Sequence, residues 1–230
     1  MRILWLCLFL LYPVFTKAED GRKVDCRFVS LSSDTPLPTL LTTSADGVES
    51  PIAVPTGALS AASPCFSKTN SFVFLSAADR TPAATATIPA DVNSAILVFV
   101  PMPKAPNSLP WRVFVVEDST KNFPDGGAFV ANFHNQDIRF VIGENKIMLH
   151  PASSHGVARP TQRDDFNMAA VTFQFQQGDA WKDASESMMR FLPGMRYLMF
   201  AFVDATSGRP RVITFQDQAT TAVAPPAKTR

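Results

Sequence analysis

Apolar and polar positions alternate with a period of two along most of this chain, the spacing of strands with one face buried and one face wet. In Val171-Thr172-Phe173-Gln174-Phe175-Gln176 the Val and Phe residues share one face and the Thr and Gln residues the other. From residue 71 onward the pattern predicts strands over 72–76, 85–88, 95–100, 111–117, 128–133, 137–142, 146–150, 168–177, 187–192, 195–204 and 211–216, preceded by 26–31. Turn signals separate them, among them Pro124-Asp125-Gly126-Gly127, Gly143-Glu144-Asn145, Gln177-Gly178-Asp179 and Ser207-Gly208-Arg209-Pro210. Pro193-Gly194 between two apolar runs reads as a tight hairpin. Trp181, Ala184, Met188 and Leu192 also fall at helical spacing. Two readings of that stretch are open, a short helix over 180–190 or an irregular lead-in to a strand over 187–192, and the second is adopted.

Residues 32–64 are rich in Ser, Thr, Pro and Ala, with prolines at 36, 38, 51, 55 and 64. Proline fixes φ and donates nothing to a ladder, so continuous sheet is not expected there, only edge pieces near 37–41 and 52–54. No repeat of fixed period is visible. Many short strands with Pro/Gly punctuation predict an all-β chain, an antiparallel β-sandwich of immunoglobulin-like or jelly-roll-like type. The expected organisation is a single domain over 19–217 and a disordered tail over 218–230.

The first eighteen residues break the pattern. Arg2 precedes an apolar run over 3–15, and Thr16-Lys17-Ala18 ends it with small residues at the positions a signal peptidase reads. The run is too short to span a bilayer and holds Pro13. Cleavage after Ala18 is expected, giving a secreted or periplasmic chain with no membrane span. It removes Arg2 and Lys17, so 21 basic residues become 19 against 20 acidic ones. That balance, without a basic patch, gives no electrostatic reason for a nucleic-acid partner.

Cys7 leaves with the signal. Cys26 and Cys65 remain, and an even count in an exported chain predicts a Cys26–Cys65 disulfide. Phe occurs 19 times and Tyr twice, so the aromatic content reads as core packing before recognition.

Residue patterns that carry chemistry are sparse. His150-Pro151-Ala152-Ser153-Ser154-His155 matches no compact metal-ligand spacing, and Pro151 excludes two imidazoles one helical turn apart. Ser153, Ser154, His155 and Asp164 supply the residue types of a hydrolase triad, but there is no Gly-x-Ser-x-Gly elbow. No phosphate-cradling or dinucleotide glycine loop is present, so no cofactor, metal or catalytic residue is assigned. Trp111 opens an apolar strand and reads as core, whereas Trp181, between Asp179 and Lys182, is the candidate ligand-binding residue.

The stretch Phe123-Pro124-Asp125-Gly126-Gly127-Ala128-Phe129-Val130-Ala131-Asn132-Phe133, with Leu192-Pro193-Gly194-Met195-Arg196 and the closing Phe215-Gln216-Asp217, resembles uncharacterised secreted bacterial proteins with a sandwich fold. The resemblance covers about 95–217. It implies a location and a fold, and no activity or site residue. The function expected is therefore non-catalytic binding or scaffolding of an unknown protein or glycan partner. The rivals are a carbohydrate-binding module using Trp181 and a small hydrolase using the 150–166 loop.

Overall fold

The structure is a computed structural model that describes residues 21–32, 37–44, 47–102, 105–106, 108–203 and 208–218. The signal peptide read over 1–18 lies outside the described residues, as does the tail read over 218–230 except for Gln218, which is the last residue of a strand. Among the described residues every regular element is a strand, and no helix is long and apolar enough to cross a membrane.

The sixteen strands form four sheets. The first half of the chain supplies two. One carries the order β4 (Ser63–Ser67), β1 (Arg22–Ser30), β7 (Ser94–Pro101), β8 (Trp111–Glu117), and the other β3 (Glu49–Ile52), β2 (Leu40–Thr43), β5 (Ser71–Ser76), β6 (Pro82–Thr87). The second half repeats both. One sheet runs β12 (Ser154–Val157), β9 (Ala128–Asn132), β15 (Met195–Val203), β16 (Pro210–Gln218), and the other β11 (Asn145–Leu149), β10 (Ile138–Ile142), β13 (Met168–Gln177), β14 (Ala180–Arg190). Adding eight to each strand number of the first half reproduces the second. Among the described residues the β-sandwich architecture is thus built twice. The repeat is one of topology, carried by strand order while strand and loop lengths differ between the halves.

Each half also departs from the purely antiparallel expectation in one place. β1 runs parallel to β7, and β9 runs parallel to β15.

Three apolar cores hold four layers together. Phe28, Phe72, Phe74, Phe99 and Trp111 fill the first sandwich, with Phe74 and Phe99 edge-to-face at 5.5 Å. Phe140, Phe173, Phe191 and Tyr197 fill the second. The third core joins the two sandwiches through the outer faces of their inner sheets, with Val29, Ile96, Val98 and Val116 from one and Phe129, Leu198, Phe200 and Phe215 from the other. β7 and β15 are therefore covered on both faces, which is why they read as continuous apolar runs over 95–100 and 197–203. Phe123, fully buried in the connection between halves, fills the same seam.

Several local expectations change. Only β3 of the short pieces inside 32–64 is an edge, because β2 is paired on both sides. Pro193-Gly194 is no hairpin, since β14 and β15 belong to different sheets. It makes a turn closed by the Met195 N–H on the Leu192 carbonyl at 3.1 Å, with Gly194 at φ +79°. The 180–190 stretch is neither helix nor irregular: β14 starts directly after a two-residue turn at Gly178-Asp179. Phe173 faces Ser185 and Gln174 faces Asp183, so Ala184 has no partner. That bulge shifts the side-chain alternation by one, putting Trp181 and Met188 on the same face at an interval that imitates a helix.

The expected Cys26–Cys65 disulfide is not formed. Both cysteines are fully buried thiols. Cys65 stands opposite Val24 and Cys26 opposite Ser63, so the two are diagonal neighbours on β1 and β4. Diagonal side chains lie farther apart than the roughly 3.5–4.5 Å between Cβ atoms that a disulfide spans. The proximity of the Cys65 thiol together with burial pushes the Cys26 thiol far up.

Candidate functional site

Where the two sandwiches meet, four charges close a ring. Arg27 of β1 donates to both carboxylate oxygens of Asp217 on β16, at 2.9 and 2.6 Å. Arg196 of β15 donates to Asp217 through Nη2 at 2.5 Å and Nε at 3.2 Å, and to Asp118 through Nη1 at 2.9 Å. Arg27 and Asp118 approach to 3.8 Å. The register that matches Cys26 of β1 to Ala128 of β9 also matches Asp118 to Asp217: the first follows the Glu117–Ala95 pair and the second the Gln216–Tyr197 pair. Each half therefore presents the same acidic position, and an arginine of the other half grips it. The Arg196 guanidinium also lies 4.1 Å from the Phe123 ring centre. The ring is a clasp that balances two positive against two negative charges, with Asp217 and Arg196 buried and Arg27 and Asp118 partly so.

Beside the clasp the surfaces of the two halves diverge into a cleft of about 600 Å³. Val92, Val115, Val116 and Phe129 give it an apolar floor. Thr87, Glu117, Lys121, Asn122, Ser154 and His155 give it a polar rim. β12 brings Ser154 and His155 there because it pairs with β9 against the connecting segment. That approach requires Gly156, where a Cβ would fall 2.4 Å from the Asn122 carbonyl oxygen. The Asn122 side-chain amide donates to Glu117 and fixes that carboxylate on the rim.

The triad-type residues do not assemble. Asp164 Oδ1 accepts the backbone N–H groups of Phe166 and Met168, at 2.9 and 2.8 Å, and so shapes its own loop. The Ser153 hydroxyl donates to the His150 carbonyl at 2.7 Å. His150 pairs with Asp137 at 2.9 Å on the surface, while Ser154 and His155 line the cleft. Among the described residues no three His, Cys, Asp or Glu side chains converge as a metal would need. Glu144 accepts the N–H groups of Thr161 and Gln162 and the Thr161 hydroxyl, which draw its pKa down to about 2 and pin the 158–167 loop.

Trp111 is buried in the first core. Trp181 lies on the outer face of the β10–β14 sheet, half-buried, with the Arg139 guanidinium 4.5 Å from its ring centre. Arg139 donates to Gln174, and Gln174 donates to Asp183 at 2.6 Å, a polar ladder across three strands. A second recess, of about 450 Å³, opens at the end of the same sandwich beside His134, Gln136, Phe175 and Gln177. His134 is buried, which lowers its pKa, and its Nδ1 accepts the Gln136 N–H at 3.0 Å, so a neutral ring carries its proton on Nε2.

Sequence reasoning reached His155 and Trp181 but not the partners that give them a setting. Thr87 and Glu117 are distant in the chain, and only the doubled architecture brings them to the cleft with His155, while Phe129 reaches it through the pairing of β9 with β12. No protein-family model matches the chain, and no curated protein matches it either.

Proposed function

We propose that this chain is an exported, non-catalytic binding protein whose ligand sits in the cleft between its two sandwiches. The observation that carries the reading is the cleft itself, drawn from both halves, with an apolar floor and a few placed polar groups, which is the usual make-up of a small-molecule site at a domain junction. The buried clasp and the third core hold the two walls in fixed relation, so little ordering is lost on binding. The signal sequence read over 1–18 and the resemblance to secreted sandwich proteins support export.

Ligand-observed NMR with a fragment library tests this. Fragments that bind the wild type should be lost with Thr87→Trp, which fills the rim from an exposed strand end, and weakened by His155→Ala. Undiminished binding to Thr87→Trp overturns the proposal. The second reading is a glycan platform on the outer sheet face, favoured by the Trp181–Arg139 stack and its polar ladder. Glycan-array binding that disappears in Trp181→Ala and persists in Thr87→Trp selects it.

A further inference from the structure

The edge strand β14 carries a self-complementary pattern. It is the longest edge strand among the described residues, and nine of its eleven residues are exposed. Unpaired edges are normally blunted by prolines, brevity or cover. Four of the other edges carry a proline, at Pro51, Pro64, Pro82 and Pro210. β6, the counterpart of β14 in the first half, is only six residues long and lies alongside β8. β14 holds no proline and is not short; it lies against β16 only in part, and the Ala184 bulge interrupts only its first half, leaving the stretch to Arg190 as a regular edge.

The direction of its free backbone groups follows from one hydrogen bond. The Phe191 N–H donates to the Asn167 carbonyl at 2.9 Å, so Phe191 and the residues two and four before it point their backbone groups at β13. Arg190, Met188 and Glu186, which face Met168, Ala170 and Thr172, therefore direct theirs away from the sheet. The same three side chains stand on the outer face, where Met188 is 54% exposed.

We propose that β14 pairs antiparallel with β14 of a second copy of this chain, about a two-fold axis at Met188. In that register the Met188 N–H and carbonyl of each copy exchange two hydrogen bonds. Each Arg190 N–H donates to the Glu186 carbonyl of the other copy. Each Glu186 N–H donates in return to the other copy's Arg190 carbonyl, whose second lone pair accepts the Tyr197 hydroxyl at 2.6 Å. Each Glu186 carboxylate faces the other copy's Arg190 guanidinium, and the two exposed Met188 side chains cover one another beside Ala170. The result is one continuous eight-stranded sheet, the strand-addition mode used reciprocally in an isologous contact.

Sedimentation of the exported chain over a concentration series tests the contact. The wild type should show a reversible monomer–dimer equilibrium. Glu186→Arg or Arg190→Glu alone, which set like charges opposite each other, should raise the dissociation constant roughly tenfold or more. The double swap should bring it back toward wild type. Met188→Cys should give a disulfide-linked dimer under mild oxidation, because directly opposed residues of a hydrogen-bonded pair lie about 5.5 Å apart at Cα, within disulfide reach. Cys26 and Cys65, being buried, do not compete. A wild type that is monomeric at every concentration overturns the proposal. So does a double swap no better than the single changes in variants with native circular dichroism, or a Met188→Cys chain that stays monomeric on oxidation.

Discussion

Asp217→Asn should be among the most damaging conservative changes in this protein. Asp217 is 3% exposed and accepts four hydrogen bonds from two guanidinium groups. The substitution keeps the shape, removes the charge, and turns one acceptor oxygen into a donor facing Arg27 or Arg196. Breaking one partner of a buried pair typically costs about 3–5 kcal/mol, because the surviving charges stay buried without compensation. Asp118 is the matching position, yet it accepts a single close hydrogen bond from Arg196 and its side chain is 11% exposed. Asp118→Asn should therefore cost about 1.5–3 kcal/mol, the range for one hydrogen bond to a charged group. Against a total stability of about 5–15 kcal/mol, the first loss is severe and the second tolerable. Urea denaturation at low and high salt measures both. The gap should persist in high salt, since buried pairs are screened little. Equal losses for the two variants, or a loss below about 1 kcal/mol for Asp217→Asn, would refute the view that the clasp depends on its more buried acid.

Phe173 is fully buried against Phe140 at 5.3 Å between ring centres, whereas Phe175 is half-exposed at the recess, so Phe173→Ala should cost about 3–5 kcal/mol and Phe175→Ala clearly less, read by thermal unfolding. Burial lowers the His134 pKa below its unfolded value, so the unfolded chain takes up the proton first and stability should fall as pH drops below about 6.5; His134→Gln should flatten that slope in pH-dependent denaturation. The Glu144 pKa is drawn down to about 2, so its stabilisation is present above the ordinary carboxylate range and lost as pH falls toward that value; Glu144→Gln should leave the 158–167 loop open to limited proteolysis at neutral pH. A thiol reagent should find neither Cys26 nor Cys65 in the native protein and both after unfolding.

The all-β class was legible because sheets with one wet face print their alternation on the sequence, as β13 does in Val171 to Gln176. The doubling was not, yet its trace was present. Residues 95–100 and 197–202 are apolar runs that a half-buried strand does not need. Both belong to strands covered on two faces, and they occupy the same place in the two halves because each inner sheet must bury one face in its own sandwich and the other in the seam. Topology is preserved by which strands are central. That constrains hydropathy without constraining residue identity, so no repeat of fixed period survives. The cysteine reading failed for a related reason. An even count speaks of compartment, but bonding is decided by register, and a two-residue offset between β1 and β4 separates the thiols. The helical spacing in 180–190 was produced by a single unpaired alanine, Ala184, which no window average detects.

The candidate site was the least legible part, because it is made of positions that only the doubled fold brings together. His155 stood out in the sequence as a titratable residue among serines, with Asp164 as its nearest acid. The fold assigns that acid to its own turn and gives His155 different neighbours, Glu117 and Lys121 from the far side of the seam. The same logic separates the two exposed edges of the outer sheets. β6 is short and lies alongside β8, while β14 is nearly twice as long and lies against β16 only in part, so its exposed residues are under a constraint that the matching strand does not share. Where one copy of a repeated architecture keeps an economical element and the other extends it, the extension is the place to look for function. Here that directs experiment to the cleft for a ligand and to Glu186, Met188 and Arg190 for a second copy.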